Sequence, residues 1–205
     1  MTVVGIDTPR GPAKAHLQIA IEPVGGLMLG HGAAGGVSAP DLVAVAGVAR
    51  TAGFSVALVE QPYRVAGRRS PAPAHQLDEA WRAVVEQLRG GELRGLPLIV
   101  GGRSAGARVA CRTAADSGAV AVLCLAFPLH PPGRPDKTRQ PELDAVRVPT
   151  LVVQGAQDPF GMPAARATYE LVEVPGNHSL KADLEAVVTA VGDWLRRIAA
   201  AAPTP

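Results

Sequence analysis

Three residue types that together can activate a hydroxyl group follow one another along the chain, each just after a strand-like run. The first is Ser104, at the centre of the sequence GRSAG at residues 102–106, which follows the apolar run 96–100. A strand that enters a helix through G-x-S-x-G makes a sharp turn that exposes the serine, and the two glycines let strand and helix approach. The pattern predicts a nucleophile, although a chain with 23 glycines in 205 residues also produces such matches without chemistry.

The other two residues are an acid and a histidine, in that order. Asp158 follows the β-branched run 150–153, and His178 follows the run 169–174 and precedes the final helical segment. Taken singly, Asp158 is an ordinary turn residue before Pro159, and His178 is an ordinary loop histidine. Three such residues in the order serine, acid, histidine, each after a strand, favour a shared site.

The chemistry explains why these residue types are needed together. A serine hydroxyl is a poor nucleophile until a neighbouring base removes its proton, and His178 is the candidate base. The imidazole must present the right tautomer and tolerate a transient positive charge, which a hydrogen-bonded carboxylate such as Asp158 allows. We therefore predict Ser104, Asp158 and His178 as catalytic residues.

A developing oxyanion needs two backbone N–H donors that converge on one point. Ala105, directly after the serine, is one candidate donor. The other is Ala33 or Gly32, in the glycine-rich loop 30–36 that follows the strand-like run 26–29. His31 in the same loop is a candidate substrate-binding residue.

The same loop also reads as G-x-G-x-x-G across Gly30, Gly32 and Gly35, which is a dinucleotide-binding pattern. Glu60, after the next strand-like run, would then be the ribose-binding acid. This interpretation is weaker because Glu60 lies farther along the chain than the usual spacing of about 20 residues. It also leaves Ser104 unexplained.

These motifs resemble the α/β-hydrolase superfamily over nearly the whole chain. The stretches that carry the resemblance are LGHGA at 29–33, GGRSAG at 101–106, FPLH at 127–130 and NHS at 177–179. They are similar to a small branch related to dienelactone hydrolases, which includes a regulatory subunit of the NSL chromatin complex. The resemblance implies the fold and a Ser-Asp-His triad, and it implies no substrate. Because some relatives act as scaffolds, a non-catalytic module that docks a protein partner is the alternative function.

Strand-like and helix-like segments alternate, which predicts an α/β fold with a mostly parallel central sheet and helices on both faces. We expect one domain over residues 1–205, with 1–15 and 200–205 as candidate flexible ends, and an opening antiparallel pair formed by 16–22 and 26–29. The predicted helices cover 41–52, 76–89, 105–115 and 180–201.

Residues 128–141 have no periodicity, and related hydrolases carry a lid or cap at this place. The segment is short, so we expect a minimal cap or none and an open pocket, with His130 as a candidate lining residue. Arg64 and Arg103 are candidates for binding an anionic group, since a guanidinium binds carboxylates and phosphates bidentately. Arg108 and Arg112, one helical turn apart, are expected to serve the structure.

Composition and the two cysteines narrow the class of protein and its location. A net charge of +2 does not point to nucleic acid, and no run is long enough to span a membrane. The start of the chain lacks an apolar signal core, so we expect a cytoplasmic protein. Cys111 and Cys124 lack metal-ligand spacing and are expected to be buried, reduced thiols. The sequence predicts a cofactor-free and metal-free hydrolase of a small carboxylic ester or thioester, and it leaves the oligomeric state open.

Overall fold

The computed structural model describes residues 1–33 and 35–201. The strands are β1 (Thr2–Ile6), β2 (Ala13–Gln18), β3 (Gly25–Gly30), β4 (Phe54–Glu60), β5 (Leu98–Arg103), β6 (Ala121–Leu125), β7 (Thr150–Gly155) and β8 (Glu170–Val174). The helices are α1 (Pro40–Thr51), α2 (Pro62–Val65), α3 (Ala74–Gly90), α4 (Ala105–Thr113), α5 (Gln140–Asp144) and α6 (Leu184–Ala201).

The eight strands form one sheet in the order β1-β2-β4-β3-β5-β6-β7-β8. β1 and β2 are antiparallel to their neighbours, and every pairing from β4 to β8 is parallel. The carboxyl ends of β3 to β8 therefore meet at the same edge of the sheet. The loops after these strands carry the predicted site residues, so the topology brings distant parts of the sequence to one place.

Helices cover both faces of the sheet, as predicted. On one face α1 and α6 bury apolar side chains against it, with Leu42 and Trp194 among the most enclosed. On the other face α3, α4 and α5 pack, with Trp81 and Val109 in that half of the core. Strands covered on both sides must be apolar throughout, which explains the uninterrupted burial of β3, β6 and β7.

The first strands differ from the prediction. The pair between 16–22 and 26–29 is wrong: β2 pairs with β1 and β4, and β3 lies between β4 and β5. Val24 cannot start a hairpin back to β2 because its N–H donates to the Gly53 carbonyl at 3.0 Å. Within the candidate flexible segment 1–15, residues 2–6 lie in β1 and residues 13–15 in β2. Residues 202–205, at the other candidate end, lie outside the described residues.

The predicted helices are present, with shifted bounds. α6 begins at Leu184 instead of residue 180, because the Asp183 carboxylate accepts the Ala186 N–H at 2.8 Å and caps the helix there. Between β6 and β7 the chain forms only the short helix α5 and connecting loops. No cap domain stands over the sheet edge within the described residues.

Candidate active site

Ser104 lies at the turn between β5 and α4, where a strand meets a helix as predicted. Its backbone has φ +53° and ψ −110°, a conformation that side-chain-bearing residues rarely adopt. The turn is possible because three glycines meet there. A Cβ on Gly102 would lie 2.5 Å from the Gly30 carbonyl oxygen, and one on Gly106 would also collide with Gly30. The glycines of GRSAG therefore serve close packing against β3.

The side chains of Ser104, His178 and Asp158 form a hydrogen-bonded row. His178 Nε2 lies 2.8 Å from Ser104 Oγ, and His178 Nδ1 lies 2.8 Å from Asp158 Oδ2. A carboxylate only accepts hydrogen bonds, so Nδ1–H donates to Asp158 and Nε2 accepts from the serine hydroxyl. The imidazole is thus in the tautomer that can take a proton from Ser104.

The acid of this row is held from several sides. The Asp158 side chain is 1% exposed, its Oδ1 accepts the Phe160 N–H at 2.9 Å, and its Oδ2 also accepts from the Gln154 amide at 2.8 Å. The Gln154 amide nitrogen lies close to the Phe127 and Gly161 carbonyls as well. These hydrogen bonds fix the orientation of Asp158 independently of its contact with the imidazole.

The loop that carries His178 packs directly on β7. A Cβ on Gly155 would lie 2.5 Å from the Asn177 carbonyl oxygen, so only a glycine allows this approach. The Phe160 ring packs on the imidazole with centroids 4.3 Å apart. The His178 side chain remains 16% exposed, so the row lies at the surface of the sheet edge.

The predicted oxyanion donors are placed beside the serine. Ala105 is the first residue of α4, where N–H groups have no partner inside the helix. Gly32 is adjacent across the cleft, because a Cβ on it would lie 3.4 Å from Ser104 Cβ. Ala33 follows, and its carbonyl accepts from the Tyr63 hydroxyl at 3.0 Å. The loop thus packs against the nucleophile turn at Gly32 and is bonded to α2 at Ala33.

His31 is buried, so its position does not support the prediction that it binds substrate. Its ring is 2% exposed; Nε2 accepts the Gln61 N–H at 3.2 Å, and Nδ1 donates to the Gly32 carbonyl at 2.8 Å. Burial lowers the pKa of this imidazole, and the nearby Arg64 guanidinium adds to the effect. Both ring nitrogens of His31 are thus engaged within the protein, by Gln61 and by the glycine-rich loop.

Arg103 is likewise engaged within the protein. Its Nε lies 2.8 Å from Asp41 Oδ2, and its Nη2 donates to the His178 carbonyl at 3.0 Å. Its side chain is only 16% exposed, so the prediction that it binds a substrate anion is not supported by its position.

The two remaining candidates lie nearby without joining the row. Arg64 lies beside Gly36 and is half exposed, with Nη1 3.5 Å from the Arg68 carbonyl. His130 packs on Gly161, in the loop of the acid, and its Nδ1 lies 3.0 Å from the Pro131 carbonyl oxygen. A role for either in substrate binding stays a prediction.

The dinucleotide interpretation finds no support in the geometry. Gly32 packs against Ser104 and α1 begins only at Pro40, whereas a phosphate-binding loop leads straight into its helix. Glu60 lies 3.7 Å from His16 on β2. Among the described residues no group of three or more His, Cys, Asp or Glu side chains is placed to hold a metal ion. None of the helices within these ranges is long and apolar enough to cross a membrane.

Sequence reasoning missed two residues that organise the site. Asp41 had the appearance of an ordinary acid in the first turn of a helix, and Gln154 that of the last residue of a strand. Gln154 carried a signal, because a glutamine at the end of the apolar run 150–153 must satisfy its amide somewhere. Asp41 carried none, since acids are common at that helical position.

Comparison with known structures shows the same architecture in proteins of distant sequence. A Xanthomonas campestris protein described as an α/β serine hydrolase without lid superposes with a TM-score of 0.81 at 22% identity, covering 98% of this chain and 96% of that one. Est1E from Butyrivibrio proteoclasticus gives 0.81 at 18% identity, covering 98% and 100%. A dienelactone hydrolase from Anabaena variabilis gives 0.73 at 20% identity, covering 96% and 94%.

A family model gives the remaining finding. Residues 24–199, which include every member of the Ser104 row, match the model of the alpha/beta hydrolase domain. The match omits β1 and β2, the antiparallel strands at the edge of the sheet. Since this match spans most of the chain and the sheet is mostly parallel with helices on both faces, the chain belongs to the α/β-hydrolase family.

Proposed function

We propose that this protein is a serine hydrolase that cleaves a small carboxylic ester or thioester through an acyl-enzyme. The observation that carries the proposal is the row Ser104–His178–Asp158, with 2.8 Å at both contacts and the imidazole in the proton-accepting tautomer. Membership of the α/β-hydrolase family supports the same conclusion.

In the first half-reaction Ser104 Oγ attacks the carbonyl carbon while His178 Nε2 takes the hydroxyl proton. The negative charge on the carbonyl oxygen is stabilised by the N–H of Ala105 and that of Ala33 or Gly32. As the intermediate collapses, the bond to the leaving group breaks, and the alcohol or thiol takes the proton from His178.

The second half-reaction repeats these steps with water. His178 removes a proton from the water as the oxygen attacks the acyl carbon. The bond from that carbon to Ser104 Oγ then breaks, and His178 returns the proton to Oγ as the acid is released. Asp158 stays ionised throughout and holds the imidazole, whose charge it balances. The protons that move thus come from Ser104 and from water, and His178 carries each of them.

Substrate size follows from the absence of a cap. Between β6 and β7, where related hydrolases carry a cap, the described chain forms only α5 and connecting loops, so the site would accept small or extended acyl groups. Arg64 is the remaining candidate for an anionic substituent, since Arg103 is already paired. We further propose that the chain is one domain and that it acts in the cytoplasm.

The test is intact mass after treatment with a fluorophosphonate probe, in which a serine oxygen displaces fluoride from phosphorus. We expect one adduct on the wild type and none on Ser104→Ala or His178→Ala. Ser70→Ala is the control, because Ser70 is an exposed serine without an activating base and its loss should leave the adduct intact.

Absence of an adduct on the folded wild type would contradict the proposal. It would favour the alternative from the sequence resemblance, a non-catalytic module that docks a protein partner. A binding module has no reason to keep an activated serine.

A further inference from the structure

We propose that Arg103 is a positioning residue of the proposed hydrolase, held in place by Asp41, that fixes the His178 loop and the glycine-rich loop relative to Ser104. The expected effect on kinetics rests on the proposed function. The structural part of the inference rests only on the contacts of the Arg103 side chain.

The guanidinium of Arg103 reaches three separate segments. Its Nε lies 2.8 Å from Asp41 Oδ2 on α1, and its Nη2 donates to the backbone carbonyl of His178 at 3.0 Å. A Cβ on Gly32 would lie only 2.8 Å from Arg103 Nη1, so this nitrogen packs on the backbone of the glycine-rich loop. Because Arg103 directly precedes Ser104, one residue connects all the parts that must meet at a reacting carbonyl.

Asp41 sets the direction of this arginine. The Asp41 side chain is 1% exposed, and its Oδ1 accepts the Leu42 N–H at 3.0 Å. Its other oxygen lies beside Arg103 Nε as an ion pair, without the alignment of a good hydrogen bond. Burial raises the pKa of this carboxyl, and the Arg103 charge offsets only part of the effect. Keeping a charged pair in such a place is costly.

That cost argues for a function other than stability. A buried ion pair often stabilises a fold less than apolar residues of similar volume would. A planar guanidinium, however, offers donors in fixed directions and can hold two partners at a set angle. Lysine carries all its N–H donors on one nitrogen, so it could not contact Asp41 and the His178 carbonyl from two separate nitrogens as Arg103 does. The geometry therefore points to orientation of the histidine loop.

The consequence for catalysis is a loss in the chemical step. When Arg103 is removed, the His178 loop and the Gly32 loop lose their common anchor, and the distance from Nε2 to Ser104 Oγ becomes variable. A displacement of about 1 Å in a catalytic group can cost about 10²-fold in rate. Binding of a small ester depends much less on this alignment.

The experiment uses two substrates that differ in charge, p-nitrophenyl acetate and p-nitrophenyl hemisuccinate. For Arg103→Met we expect kcat to fall about 10²-fold on both esters, with KM within about two-fold of the wild type. Asp41→Asn should lower kcat in the same way, by about 10-fold, because Arg103 stays but loses its anchor. Arg103→Lys should fall between the wild type and Arg103→Met.

Arg108→Met is the matched control. Arg108 is similarly buried, lies five residues farther along the chain in α4 and is paired with Glu142 on α5. Its loss removes the same charge, and we expect kcat within about two-fold of the wild type.

A readout that does not need turnover is the downfield proton resonance of a His178 Nδ1–H bonded to Asp158, assigned by its loss in His178→Ala. We expect it to be lost or broadened in Arg103→Met and Asp41→Asn and kept in Arg108→Met. If Arg103→Met does not fold, Asp41→Asn and Arg103→Lys carry both measurements.

Two results would overturn the inference while leaving the proposed function intact. The first is an unchanged kcat on both esters, with the resonance preserved. The second is a loss confined to the hemisuccinate as a higher KM, which would make Arg103 a binding site for a substrate anion. If the wild type forms no fluorophosphonate adduct, the proposed function fails instead, and the resonance still decides whether Arg103 orders the histidine loop.

Discussion

Two sets of arginine–carboxylate pairs flank the nucleophile turn, and they differ in what their donors reach. Before Ser104, Arg103 shares its donors between Asp41 and the backbone of His178. After it, Arg108 and Arg112 extend from the outer side of α4 and use theirs on Glu142 and Asp78, on α5 and α3. All three arginines are buried to a similar degree.

The electrostatic balance also differs between the two sets. Burial lowers the pKa of Arg112, but its hydrogen bonds and the charges of Asp78 and Glu142 outweigh burial and raise it. At Asp41 burial dominates and raises the pKa of the carboxyl, so its charged form is held at a cost. We call Arg108 and Arg112 with their carboxylates the outer set, and Arg103 with Asp41 the inner set. We infer that the outer set joins three helices and stabilises the fold. The inner set and the Ser104 row instead keep a precise geometry at a cost in stability.

Asp158→Asn tests the site side of this comparison and should have the largest effect. Asparagine has the same shape but offers no negative charge and favours the wrong imidazole tautomer, so we expect kcat to fall about 10⁴-fold with the thermal midpoint little changed. Hydrolysis of p-nitrophenyl acetate measures it. Asp116→Asn, an exposed acid paired with Arg82, is the control. Retention of more than a tenth of the wild-type rate would break the assignment of Asp158.

Arg112→Met tests the outer set. The substitution removes the Arg112 guanidinium that pairs with Asp78 and Glu142. We expect the free energy of unfolding to fall by about 2–3 kcal/mol and kcat to stay within two-fold of the wild type. Chemical denaturation measures the first quantity. Arg82→Met, which breaks an exposed pair, should change stability by less than about 1 kcal/mol. A large loss of kcat in folded Arg112→Met would remove the distinction between the two sets.

Gln154→Met sharpens the boundary of the site. The substitution keeps the length of the side chain and deletes the amide that donates to Asp158 and lies near the Phe127 and Gly161 carbonyls. We expect kcat to fall about 10-fold, equivalent to about 1.4 kcal/mol, because the acid loses one of its supports. Gln140→Met removes an amide bonded to Asp144 and Tyr169 instead and should keep the wild-type kcat. Equal rates for the two variants would exclude Gln154 from positioning Asp158.

His31 gives the smallest effect, on the pH dependence of stability. Burial holds the pKa of its imidazole below 6.5 in the folded protein, so the unfolded chain binds a proton first as the pH falls. The stability that neutral His31 contributes is therefore complete above about pH 6.5 and is lost as the pH falls toward the lower, folded-state pKa, at no more than about 1.4 kcal/mol per pH unit.

Denaturant unfolding between about pH 7.5 and pH 5.5 measures this loss. His31→Gln should show a flatter profile than the wild type, and His75→Gln, which changes an exposed histidine, should follow the wild type. Parallel profiles for all three proteins would mean that His31 titrates normally in the fold.

Much of the fold could be predicted because it depends on local patterns. The apolar runs at β3, β5, β6 and β7 predict strands that are buried on both faces. The G-x-S-x-G turn at Ser104 predicts the helix that follows it. The opening strands were misplaced because a hairpin and a long-range pairing look alike in sequence. Only the hydrogen bonds of β2 to β4 decided between them.

The amino-acid sequence by itself determined which residues have the chemistry: a serine in a tight glycine turn, then an acid and a histidine after later strands. It could not determine which side chains spend their donors inside the protein. His31 and Arg103 both have the polar groups that a substrate site needs, yet their donors are used within the protein by Gly32 and by Asp41 and His178. Their roles depend on partners from distant parts of the chain, and such partners come together only when parallel strands align their ends in the folded sheet.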